Sequence, residues 1–149
     1  MMVADKFTEM RVGDQAIRYD RNRTQHIYNG LKRGGADECG CMYCRNFAAQ
    51  RDSAYPDPFK RLLDELGIDP AKEAEVYEIG PIEGGRFTYG GWLCFIGEMI
   101  EAGEGNTRLG GFEYWFTTKV PDAPAFHGGS MLAVQFLTTI DWVLAARPE

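Results

Sequence analysis

Large side chains alternate with small or polar ones through the second half of the chain. Phe112, Tyr114 and Phe116 are interleaved with Glu113, Trp115 and Thr117, and Leu132, Val134, Phe136, Ile140 and Trp142 share one face of a later stretch. A period of two is the signature of strands that bury one side. The chain carries 9 Phe, 7 Tyr and 3 Trp, and this supply of rings suits a sheet whose two faces are both largely covered.

Other segments extend this pattern. Residues 76–79 read as extended, Gly84-Gly85 as a turn, and 86–100 as two strands or one bent strand. Gly90-Gly91 is expected to mark a bulge there, and Gly97 a close approach to a neighbour. Earlier, residues 15–19 alternate as a half-buried strand does, and Asn29-Gly30 predicts a tight hairpin. Residues 34–38 read as a loop, and 1–11, with weak periodicity, as a loose end.

Helical patterns lie between these strands. One helix is expected to start near residues 41–44 and run to Gln50. A second has Asp57 as N-cap, Pro58 at the first helical position, Phe59, Leu62, Leu63 and Leu66 on one face, and Gly67 as its left-handed stop. Asp69-Pro70 reads as a further short helical turn. The fold class is therefore α+β: a mostly antiparallel, curved sheet with two or three short helices after an N-terminal hairpin. At 149 residues the chain is expected to form a single globular domain spanning 1–149.

Charge excludes one class of function. The net charge of -6 is the wrong sign for a protein that binds nucleic acid by neutralising phosphates. The first third is mildly basic, with nine Lys/Arg against six Asp/Glu in residues 1–51. Arg18, Arg21, Arg23, Lys32 and Arg33 are candidates to receive an anion or an acidic partner. The glutamates between 73 and 104, Glu73 among them, read as a solvated face. Apolar runs reach only about five residues, as at 92–96, whereas a membrane helix needs roughly 20. The start of the chain lacks a signal-peptide pattern. A cytoplasmic location is the expectation, and thiols stay reduced there.

Against that background, Cys39-Gly40-Cys41-Met42-Tyr43-Cys44 is the densest set of soft ligands. Flexible Gly40 lets Cys39 and Cys41 point to the same side, and Cys44 returns about one helical turn later. Zinc favours such tetrahedral thiolate and imidazole sets. Cys39, Cys41 and Cys44 are therefore candidate metal ligands, with His26 the first candidate for the fourth position, His127 the second and Cys94 the third. Cys94, inside an apolar run, reads better as a small buried hydrophobe. A haem box would need His where Arg45 stands, and the spacing of a ferredoxin is absent. Cys41-Met42-Tyr43-Cys44 also has the C-x-x-C form of a thiol-redox pair. His127-Gly128-Gly129-Ser130 lacks the final glycine of a hydrolase elbow.

The Cys39–Cys44 box followed by Arg45-Asn46, the phrase Leu66-Gly67-Ile68-Asp69-Pro70 and the strand Tyr89-Gly90-Gly91-Trp92 resemble a family of uncharacterised bacterial proteins. The resemblance spans roughly residues 39 to 144 and implies a grouping without an activity. Two functional readings follow from the residues. In the first, the chain is a metal-binding module with a structural zinc and a binding or interaction role towards a protein or small molecule. In the second, it is a small thiol-redox or metal-dependent enzyme using Cys44, or Cys41 with Cys44. A sheet edge this rich in aromatics would also support a homodimer.

Overall fold

The computed structural model describes residues 7–120 and 123–148. Residues 1–6 of the expected loose end lie outside these, and the stretch that follows is ordered as strand β1 (Thr8–Val12). It turns through Gly13, at φ 60, into β2 (Gln15–Tyr19), pairing Val12 with Gln15.

The N-terminal hairpin is thus β1–β2, and Asn29-Gly30 is not a turn between strands. Those residues end helix α1 (Arg21–Gly30). Asp20 caps it by accepting the Arg23 N–H at 3.0 Å, and the Thr24 hydroxyl donates to the Asp20 carbonyl at 2.8 Å. Thr24 and Tyr28, four residues apart, form its buried face. A good N-cap and an i, i+4 face outweighed a two-residue turn signal.

Residues 34–38 are likewise not a loop throughout, because α2 (Gly35–Cys39) occupies most of them. Helix α3 (Met42–Ala54) follows, then α4 (Asp57–Leu66). The latter buries Phe59, Leu63 and Leu66 and stops at Gly67 in the left-handed conformation, as its pattern predicts, but it starts one residue early: Pro56 is the N-cap and Asp57 the first helical residue, with no side-chain cap bond. The Ile68 N–H closes back on the Leu63 carbonyl at 2.9 Å. Asp69-Pro70 forms a turn rather than helix: the Asp69 carbonyl accepts the Lys72 N–H at 3.0 Å, and its carboxylate accepts the Ala71 N–H at 2.9 Å.

The rest is sheet: β3 (Glu75–Ile82), β4 (Arg86–Glu101), β5 (Thr107–Leu109), β6 (Phe112–Thr117) and β7 (Met131–Asp141). The spatial order is β1-β2-β4-β7-β6-β5, with β3 also paired to β4. Every pairing is antiparallel. β4 is one strand of 16 residues. Its first half pairs with β3 and its last residues with β2, while β7 runs along its other edge. The register shift expected at Gly90-Gly91 lies opposite, in β3 between Glu78 and Gly80. The two glycines instead make room for rings. A Cβ on Gly90 would come within 2.6 Å of the Tyr77 ring, and one on Gly91 within 2.5 Å of Phe136.

Helices α3 and α4 cover one face of this sheet. Phe47 of α3 stacks on Phe136 of β7 at 6.0 Å, and Phe59 of α4 meets Phe112 of β6 at 4.6 Å. The opposite face is less covered than the composition suggests. There Trp92, Gln135 and Trp115, neighbours across three strands, are only half-buried. Among the described residues no helix is long and apolar enough to cross a membrane.

Candidate metal centre

The cysteine box sits at the corner between α2 and α3. Helix α2 ends at Cys39 because Gly40 turns left-handed, at φ 67 and ψ 4, a conformation costly for any residue with a Cβ. Cys41 then returns to extended geometry and caps α3: its Sγ accepts the Cys44 N–H at 3.4 Å. A thiol therefore stands where Ser or Asp would normally cap, and the cap folds Cys44 back towards Cys41. The three sulfur atoms all lie within 4.8 Å of one another. Around a tetrahedral ion with metal–sulfur bonds near 2.3 Å, sulfurs stand about 3.8 Å apart, so closure on an ion needs only a small contraction.

The three thiols differ in their surroundings. Cys39 and Cys41 are exposed and Cys44 is buried. For Cys41, burial works against the thiolate, but the N–H of Cys44, the thiols of Cys39 and Cys44, and the N–H of Tyr43 outweigh it and hold its pKa below the ordinary value. For Cys44, burial and then the two neighbouring sulfurs push the thiol well up. The thiolate is thus favoured at the exposed Cys41 and disfavoured at the buried Cys44.

The corner is braced from both sides. The Glu73 carbonyl accepts the Gly35 N–H at 2.8 Å, and its carboxylate accepts the Ala36 N–H at 3.4 Å. The same carboxylate takes a forked pair from Arg51 of α3, at 3.1 and 2.7 Å, and Arg51 also reaches Asp37 of α2 at 3.6 Å. Glu73 is thus no member of a solvated face: its side chain is 0% exposed. Such close contact requires glycine, because a Cβ on Gly34 or Gly35 would come within 2.7 or 2.8 Å of backbone in residues 71–75.

On the other side, Asn46, the last residue of the box, clamps α3 to the sheet. Its amide donates to the Asp141 carbonyl at 3.1 Å and to the Tyr89 hydroxyl at 3.3 Å, and it accepts the Val143 N–H at 2.8 Å. Tyr89 in turn donates to the Tyr43 carbonyl at 2.9 Å. Sequence reasoning missed Glu73, Arg51 and Asn46 because their partners lie far along the chain. The one local hint is Asn46, a polar residue next to Phe47 on the inward side of a helix.

The other candidates are dispersed. Among the described residues, the group able to hold a metal comprises Cys39, Cys41 and Cys44. His26 is exposed on α1, and His127 is exposed after a short 3-10 turn (Pro124–Phe126). Cys94 is fully buried in β4, where burial pushes its thiol up to about 12, as befits a small hydrophobe. Arg18 pairs with Glu98. Arg21 pairs with Asp64 at 3.7 Å. Arg23 lines a depression with Phe7, Glu98 and residues 128–130. Arg33 lines a different one with Tyr28, Lys72 and Phe126, and Lys32 is exposed. No protein-family model, curated protein or solved structure matches the chain.

Proposed function

We propose that the protein is a metal-binding module in which Cys39, Cys41 and Cys44 hold a structural zinc ion, and that it serves a binding or interaction role. The convergence of three sulfurs within 4.8 Å at a braced corner supports this reading. Soft thiolates favour zinc over magnesium or calcium, and the α3 N-terminus helps carry the negative charge of the set. A zinc ion there would fasten α2, which at five residues is too short to be stable alone. The box that carries this chemistry also carries the resemblance to the bacterial family.

The test is elemental analysis of freshly purified protein, followed by melting with and without a strong chelator. The expected outcome is near-stoichiometric zinc and a lowered Tm after chelation, with loss of amide protection concentrated at the α2–α3 corner. Absence of metal together with an unchanged melting curve would overturn the reading. It would leave the alternative of a small thiol-redox enzyme using Cys41 with Cys44, with the exposed Cys41 as its accessible thiol.

A further inference from the structure

Given that the corner holds a metal, we propose that the ion's fourth position is reserved for an external thiol and is not filled by a residue of this chain. This inference rests on the metal-binding reading and specifies the ligand class at the same site.

Three observations carry it. First, the described residues bring three ligand atoms together and no fourth His, Cys, Asp or Glu joins them. A structural zinc is almost always four-coordinate, so beside these three thiolates one position is left for a further ligand. Second, the triangle of sulfurs has a protein side and a solvent side. Cys44 is buried, whereas Cys39 and Cys41 are exposed, so a ligand arriving from solvent can reach the set. Third, the bend that links the two exposed thiols is uncovered. Gly40, between the two exposed thiols, has nothing within 4 Å of the place a Cβ would take.

The donor set selects the incoming ligand. Three thiolates make a soft site, and soft or borderline ions in such a site prefer a further sulfur to carboxylate or carbonyl oxygen. Arg45, exposed beside Cys44, offers a positive charge to an arriving anion. The thiol binds as its thiolate: its sulfur forms the metal–sulfur bond, its proton leaves to solvent, and bound water departs if present. No electron is transferred, so no oxidant or reductant is required.

Cobalt(II) in place of zinc makes the coordination visible. Protein kept reduced with a phosphine, so that no thiol is present, would be loaded with cobalt and its sulfur-to-cobalt charge-transfer and d–d bands recorded. Titration with 2-mercaptoethanol is expected to strengthen the charge-transfer band saturably, at one thiol per cobalt. His26→Ala and His127→Ala are expected to leave the starting spectrum unchanged. Indifference to added thiol would overturn the proposal. So would a starting spectrum altered by either histidine substitution, since the fourth ligand would then be internal. A response to imidazole but not to thiol would overturn the choice of sulfur. Failure of cobalt to give any charge-transfer band would instead remove the metal-binding reading itself.

Discussion

Helix α3 joins two regions built on opposite terms. Its later turns enter a dry aromatic core. Phe47 and Tyr55 pack there with Phe59, Phe112 and Phe136, ring centroids 4.6–6.2 Å apart, and none of these side chains is more than 3% exposed. Its first turn enters a wet corner where two of three thiols face solvent. Ala36 is the one buried residue of α2. The core is held by burial and ring geometry, which need no ligand. The corner is held by a buried ion pair and by whatever closes the three sulfurs. One helix thus couples a region held by burial to one that, on the reading proposed above, a metal ion would complete.

The largest expected effect tests the self-sufficiency of the core. Phe59→Ala removes a fully buried ring that touches Tyr55, Phe112, Tyr114 and Phe136. A substitution of this kind costs about 3–5 kcal/mol. Denaturant unfolding should show that loss equally with and without metal, and metal affinity in the folded variant should be unchanged. A metal affinity that falls along with stability would break the distinction between the two regions.

Glu73→Leu attacks the other side. Arg51, whose side chain is 14% exposed, would lose its forked carboxylate, and the N-terminus of α2 would lose an acceptor. Breaking a buried pair by removing one partner costs about 3–5 kcal/mol. The lower end applies here, because Asp37 stays within 3.6 Å of Arg51. The distinguishing readout is metal affinity, measured by competition with a chromophoric chelator. It should weaken by about tenfold, as when an outer support of a metal site is removed. Unchanged affinity would show that the thiols need no brace from Glu73.

The same division explains what could be read from the sequence. Helix α4, β6 and β7 were legible because their signals are local: Pro58 and Gly67 bracket one amphipathic face, and Phe112, Tyr114 and Phe116 repeat every second residue. The cysteine box was legible for the same reason, since Cys39, Cys41 and Cys44 meet within a single bend. Asn29-Gly30 misled because its preference for positive φ was overridden by the Asp20 cap and the Thr24–Tyr28 face. Helix α2 was invisible because it is held by Glu73, far along the chain. The support of the site, from Glu73 through Arg51 to Asn46 and the end of β7, consists of long-range contacts to which no spacing rule applies.

The smallest effect has the less expected sign. Tyr55 contributes its ring to the core, yet its buried hydroxyl has no hydrogen-bond partner among the described residues. Burial, then the field of Glu73, push its pKa well up, against a smaller opposing pull from Arg51, so the group is a neutral phenol at any ordinary pH. A buried hydroxyl left unpaired carries a desolvation cost of about 1–3 kcal/mol. Tyr55→Phe deletes that group while keeping the ring contacts with Phe47, Phe59, Phe112 and Phe136. The expected result is a gain of about 1 kcal/mol in unfolding free energy, because some contact with the surroundings is lost with the oxygen. Metal affinity should not move, since the substitution lies on the core side of α3. A loss of stability would show that the hydroxyl finds a partner. If that loss vanished in the Glu73→Leu background, the partner would be the Glu73–Arg51 pair, and the core and the corner would share a polar link as well as a helix.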